Sequence, residues 1–168
     1  MKKDFPRLGG SLVLGSGALL GFVGQGEGQG QHVVYADKLA GGLPTVCKGL
    51  TRHVTTTPII VGQRWSAEKC QREETAALQR VQTALAQCFK VLPPQYVFDA
   101  ASSHAWNFGH PSTCNSLAMA RFNQGDWAKG CRRLSMSDAG RPVWSFTSHI
   151  NPKTGIKTYT FIQGLANR

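Results

Sequence analysis

Acidic residues are scarce in this chain. Its 168 residues hold four glutamates (Glu27, Glu68, Glu73, Glu74) and five aspartates (Asp4, Asp37, Asp99, Asp126, Asp138). Any carboxylate chemistry must draw on that short set. No CxxC pair occurs, which disfavours a zinc site, and no other metal or cofactor is expected. A phosphate-binding glycine loop, a nucleophile elbow and an ordered Cys/His pair are all missing. Neither an internal repeat nor a heptad array is visible. Charged residues make up only 17%, so the chain is not a histone-like tail.

What is present is an excess of base. Nineteen Lys and Arg against nine Asp and Glu give a net charge of +10 and a pI near 9.8. Such a balance favours an anionic partner: nucleic acid, anionic lipid or an acidic cell-wall polymer. Nucleic acid is disfavoured, because the basic residues form no stripe on one predicted helix. A hydrophobic content of 41% excludes a disordered chain, and the length suits one compact domain.

Lys2, Lys3 and Arg7 precede an uncharged stretch, residues 8–26. As a helix it would span about 28 Å, close to the hydrocarbon thickness of a bilayer. Seven of its residues are glycine, so insertion would be marginal. Three readings put the body of the chain outside the cytoplasm: a cleaved signal peptide, a permanent anchor, and a weak anchor that later leaves the bilayer. A buried core helix is the fourth. Five cysteines fit export to an oxidising compartment: two disulfides and one spare thiol. The alternative is buried free thiols. The favoured pairing is Cys47 with Cys70 and Cys114 with Cys131, leaving Cys88 over, although spacing alone does not fix connectivity.

A Gly/Gln-rich joint, residues 25–31, leads to a small sheet expected within residues 32–62, with strands at 32–35 and 43–47 and a turn at Gly41-Gly42. Ser66 is a candidate N-cap for a long helix, with Glu68 in its first turn and Pro93-Pro94 as its stop. Ala77, Leu78, Val81, Leu85 and Cys88 mark its buried face. Further helices are predicted near 95–107, 113–122 and 126–134. Strand-like residues 145–161 flank Asn151-Pro-Lys-Thr-Gly155 and predict a hairpin, with a return to helix after Phe161. The expected architecture is α+β, a small β lobe and a larger helical lobe with a cleft between them.

Two acids stand apart from the helices. Glu27 and Asp37 lie where the glycine-rich joint meets the sheet. Paired carboxylates are the usual equipment for cleaving a glycosidic bond; the plainer alternative is two loop acids. Around them run Glu27-Gly28, Tyr35-Ala36-Asp37 and Thr45-Val-Cys-Lys-Gly49-Leu-Thr51, followed by Trp106-Asn107-Phe-Gly109, Ser112-Thr-Cys-Asn-Ser116, Asn123-Gln-Gly125-Asp and Gly164-Leu-x-x-Arg168. In this order the set resembles the phage-type lysozymes, glycoside hydrolase family 24. The N-terminal run is similar to the signal-anchor-release segment of exported endolysins in that family.

The resemblance implies a lysozyme-like fold, with an N-terminal anchor segment (1–26) and a catalytic domain (27–168). It implies an endolysin, or muramidase, that hydrolyses β-1,4 bonds of peptidoglycan with inversion, and so lyses the host cell. Glu27 would be the general acid, Asp37 would position or activate water, and Thr45 would hold that water. Trp106, Asn107, Asn115 and Ser116 would bind sugar. The spacings from Glu27 to Asp37 and from Asp37 to Thr45 exceed the family's usual ones. A monomer is expected, transiently held at the host inner membrane through residues 8–26, then periplasmic. The other readings are a lytic transglycosylase using Glu27 alone and a non-catalytic basic wall- or DNA-binding module. His53 and His104 read as structural.

Overall fold

A computed structural model of the chain describes residues 12–26, 31–38 and 41–161. Glu27, most of the glycine-rich joint and the expected closing helix (162–168) lie outside the described residues.

The small lobe is a three-stranded antiparallel sheet in the order β1 (Gln31–Asp37), β2 (Leu43–Cys47), β3 (Leu50–Thr51). Gly41 and Gly42 both take positive φ, 67° and 84°, and the Gly42 N–H donates to the Asp37 carbonyl at 2.7 Å, closing the β1–β2 turn. One face of the sheet carries Val34, Val46 and Leu50, which pack with Trp65, Cys70 and Ala77 into a small core. Residues 52–64 form a loop rather than more strand. Its end, 62–65, runs beside β1 through bonds to Val34 and His32.

Helix α2 (Ala67–Ala86) belongs to both lobes. Ser66 caps it, accepting the Lys69 N–H at 3.1 Å. The expected run to Pro93-Pro94 is too long: the helix ends at Ala86. The chain beyond is captured by Asn123, whose side chain accepts from the Lys90 N–H at 2.6 Å and donates to the Cys88 carbonyl at 2.9 Å. Those side-chain bonds replace the helical ones.

The rest of the large lobe is α3 (Gln95–Phe108), α4 (His110–Cys114), α5 (Leu117–Phe122) and α6 (Trp127–Arg133). A single helix expected at 113–122 is instead two. Ser116 is extended (φ −78°, ψ 158°) and its hydroxyl caps α5, so the chain must break there. Leu85, Phe89, Phe98, Met119 and Phe122 form the larger core. Gly130 is required by close approach, since a Cβ there would lie 2.3 Å from the Phe122 ring.

Helix α1 (Gly17–Gly26) packs against α3. Leu19 is buried, and four polar groups hold the chain leading into α1. The Gly15 N–H donates to Gln82 Oε1 at 2.7 Å. The Val13 N–H and carbonyl both bond Gln95. Ser16 Oγ donates to Asp99 Oδ2 at 2.8 Å. Among the described residues no helix is long and apolar enough to cross a membrane.

The sulfurs pair as Cys47–Cys70 and Cys88–Cys114, with Cys131 a free thiol. The expected Cys114–Cys131 bond is therefore wrong. The end of α2 packs on α4 and brings the Cα atoms of Cys88 and Cys114 to 5.5 Å, a bridging distance. The chain ends in a separate antiparallel hairpin, β4 (Phe146–Ile150) and β5 (Lys157–Phe161), turning at Asn151–Gly155 as the sequence predicts.

Candidate active site

The β1–β2 register sets Tyr35 opposite Thr45 and Asp37 opposite Leu43, while Thr45 also faces Thr51 of β3. Asp37 and Thr45 therefore share the sheet face turned away from the small core. In the β1–β2 register they are diagonal neighbours. Thr45 lies in the middle strand, buried between Tyr35 and Thr51, and its hydroxyl donates to the Leu43 carbonyl at 3.0 Å. Asp37 stands at the strand end, only partly covered.

The sheet is held against α2 at several points. The Cys47–Cys70 disulfide ties β2 to the helix. The Lys48 N–H in the β2–β3 turn donates to Glu74 Oε1 at 2.8 Å, and Arg80 donates from two guanidinium nitrogens to the Val54 carbonyl. Glu73 accepts from the hydroxyls of Thr55 and Thr57 at 2.9 and 3.0 Å. Burial opposes its charge, but those hydroxyls, with Arg72 and Arg80, outweigh burial and hold its carboxyl below the usual range. Glu73 and Glu74 thus fasten the lobe rather than simply facing solvent.

Between the lobes runs an open groove of about 660 Å³. Thr51, Arg52 and His53 line its sheet side; Trp106, Asn107 and His110 line its helical side. A neighbouring pocket of about 170 Å³ is lined by Leu20 of α1, Lys48, Glu74 and Trp106. Trp106 is half-buried, packs on both cores and borders both spaces. Asn107 is exposed at the groove, with its Nδ2 donating to the Ser103 carbonyl. Asn115 and Ser116 lie elsewhere. Asn115 bonds back to the Pro111 carbonyl and Ser116 caps α5; neither lines the groove. Arg52, His53 and His110 were not singled out as groove residues by the sequence. Nothing in their spacing marks them, and only the approach of the α3–α4 junction to the β3 loop does.

His104 is buried, as a structural histidine should be. Its Nδ1 lies 2.8 Å from Thr113 Oγ1, and burial lowers its pKa to about 4. It borders a second cavity of about 440 Å³ between α1, α3 and residues 134–145. Asp99, the carboxylate in that wall, is engaged by Ser16 and Gln95, so the cavity offers little for acid–base chemistry. No cluster of three or more His, Cys, Asp or Glu suited to a metal occurs among the described residues.

Residues 25–145 match the family model for phage lysozyme. A SAR-endolysin of Pseudomonas phage phiKMV is 30% identical over 95 residues, which is 56% of this chain and 56% of that protein. The match thus spans about half the length of that relative. An endolysin from Escherichia coli O157:H7 phage FAHEc1 superposes with a TM-score of 0.71 at 24% identity, covering 94% of this chain and 89% of the other. The muramidase domain of SpmX from Asticaccaulis excentricus gives 0.70 at 18% identity, covering 94% and 92%. A P22 lysozyme variant gives 0.60 at 21%, covering 79% and 90%. These likenesses establish a lysozyme-like α+β fold. The matched residues take in the sheet bearing Asp37 and Thr45 and both walls of the groove, and on that ground the chain belongs to the phage lysozyme family.

Proposed function

We propose that the chain is an endolysin of muramidase type. It hydrolyses the β-1,4 bond between N-acetylmuramic acid and N-acetylglucosamine in peptidoglycan, for release of phage by host lysis. The observation that carries this reading is the groove itself: an interlobe channel in a chain of the phage lysozyme family, lined on its sheet side by Thr51, the strand partner of Thr45, although Thr45 and Asp37 do not themselves line it. The basic surface, net +10, suits a wall polymer whose peptide stems carry carboxylates.

Glu27, the residue after the end of α1, acts as the general acid and protonates the leaving glycosidic oxygen. Asp37 orients and activates water on the opposite side of the sugar, and Thr45 holds that water by its hydroxyl. Water between the carboxyl groups gives inversion at the anomeric carbon. Trp106 and Asn107 contact sugar from the helical wall; Asn115 and Ser116 support that wall from behind through their caps. No cofactor takes part.

Residues 1–26 form a weak signal-anchor and residues 27–168 the catalytic domain. The monomeric enzyme is exported, rests at the host inner membrane through residues 8–26 and then enters the periplasm. The likeness to the SAR-endolysin of phage phiKMV supports this route. So does the packing of residues 12–20 on α2 and α3, a seat for the segment once it has left lipid. While the segment stays in the bilayer, Glu27 is held at its surface and the groove is incomplete.

The deciding experiment is digestion of purified peptidoglycan by wild type and Glu27→Gln, with products identified by mass spectrometry. Reducing muramic ends made by wild type alone are expected. Anhydro ends would mark a lytic transglycosylase, and binding without cleavage by folded, oxidised wild type would mark a wall-binding module.

A further inference from the structure

The β4–β5 hairpin lies beyond the residues that match the family, 25–145. Its register pairs Phe146 with Phe161, Ser148 with Tyr159 and Ile150 with Lys157. Directly paired residues share a face, so Phe146, Phe161, Tyr159 and Ile150 stand together on one side. The other side carries Thr147, Thr160, His149 and Thr158. The hairpin is amphipathic, yet every residue of both strands is exposed. Phe146 is 47% exposed, Phe161 42%, Ile150 58% and Tyr159 66%, and Ile156 beside the turn is 62% exposed. Two strands pairing with no other strand are marginal in water unless the apolar face is covered. A contiguous apolar patch of this kind marks an interaction surface.

The charges identify the partner. Lys153 sits in the turn and Lys157 at the start of β5, so both cations lie at the tip of the hairpin. The last acid of the chain is Asp138. The Lys157 ammonium lies 5.3 Å from the Tyr159 ring centroid, so a cation and an aromatic ring occupy the same edge. A glycan-binding face would present amide or carboxylate groups beside its rings. Among the described residues the strands present none on this face, and Asn151 in the turn spends its Oδ1 on the N–H groups of Lys153 and Thr154. Branched aliphatic side chains, aromatic rings and lysines on one edge match the interface of an anionic bilayer, where apolar groups enter the acyl boundary and ammonium groups meet lipid phosphate.

We infer that the β4–β5 hairpin is a membrane-contact element whose apolar face, with Lys153 and Lys157, lies on an anionic lipid surface. It is a second contact, separate from residues 8–26, and does not depend on the reaction in the groove.

The test is co-sedimentation of full-length, oxidised protein with vesicles of phosphatidylcholine alone and of equal parts phosphatidylcholine and phosphatidylglycerol. Wild type is compared with Ile150→Ser/Tyr159→Ser, Lys153→Ala/Lys157→Ala, and a polar-face control, Thr147→Ser/Thr160→Ser. All keep the N-terminal segment, so its contribution is constant. The apolar pair should weaken binding to anionic vesicles about tenfold, as expected for interfacial apolar groups. The lysine pair should weaken it roughly 25-fold at low salt, about fivefold per lysine, and much less at high salt. The control should bind as wild type does. Equal binding by wild type and the apolar variant would overturn the inference. So would a loss confined to purified sacculi, which would mark a glycan surface. A marked fall in melting temperature of the apolar variant would do the same, since it would mean that the rest of the chain covers the face.

Discussion

Gly15 and Gln82 meet across 67 residues of sequence: the Gly15 N–H donates to Gln82 Oε1 at 2.7 Å. Gln82 is wholly buried, and its other end donates to Ser102 Oγ at 3.2 Å. One amide thus joins the chain leading into α1 to both long helices. Under the proposed anchor role, residues 12–26 would have two environments, a bilayer and this seat. Apolar contact would do little to separate them, since Leu19 would be dry in either. The polar bonds to Gln82, Gln95 and Asp99 belong to the folded seat.

Replacing Gln82 by Leu keeps the volume but leaves the Gly15 N–H without its acceptor. A cost of about 1–3 kcal/mol is expected. It should appear as a lower melting temperature and earlier protease cleavage within residues 12–20. In cells the same variant should shift protein toward the membrane fraction. An unchanged melt with unchanged cleavage would show that the amide is dispensable.

Thr45→Val separates chemistry from folding at the sheet. Among the described residues the Thr45 hydroxyl bonds to a carbonyl of its own strand, so its loss should leave the melt close to wild type. If the hydroxyl holds the reacting water, turnover on peptidoglycan should fall by about 10²-fold or more. Asp37→Asn, of nearly the same shape, should show the same split. Equal activity with equal stability would remove either residue from the proposed mechanism.

The cysteines make a mapping prediction. Peptides joined through Cys47–Cys70 and Cys88–Cys114 should be recovered from a non-reducing digest, and one thiol should titrate. Burial raises the Cys131 pKa, so native alkylation should be slow and become fast on denaturation. Opening the Cys47–Cys70 loop by a double Ser substitution should cost about 3 kcal/mol. Cys131→Ser should cost far less.

His104 sets an acid limit. Burial lowers its folded pKa to about 4 from the ordinary 6.5. Between those values the unfolded chain binds a proton that the folded chain refuses. Stability is therefore full above about pH 6.5 and falls as pH drops toward 4, by a total on the order of 3 kcal/mol. Urea midpoints at pH 7.5, 5.5 and 4.5 should show the fall in wild type. His104→Gln should flatten the segment between pH 6.5 and 4.5.

Several elements were legible because their signals are local. Ser66 and the spacing of Ala77, Leu78, Val81 and Leu85 announce α2. Gly41-Gly42 and Asn151–Gly155 announce the two hairpin turns, since positive φ and Asx bonding are properties of a few consecutive residues. The end of α2 was not legible, because Asn123, far along the chain, captures residues 88–90. Nor was the second disulfide. Cys88, Cys114 and Cys131 all pack around the larger core, and only the docking of α4 on α2 selects the pair. Trp106 and Asn107 were legible as groove residues through the family motif, whereas Asn115 and Ser116, in the next piece of that motif, spend their side chains on helix ends.

By itself the sequence determined the kind of molecule: a basic α+β chain with few acids, an ordered lysozyme-type motif set and a weakly apolar N-terminal run. These follow from composition and short-range spacing, which survive without knowledge of the fold. Tertiary structure alone decided three matters. It brought His53 and His110 to opposite walls of one groove, joined Cys88 to Cys114, and gave residues 13–16 polar partners on α2 and α3. Each depends on contacts between segments tens of residues apart, set by how two cores pack around one shared helix.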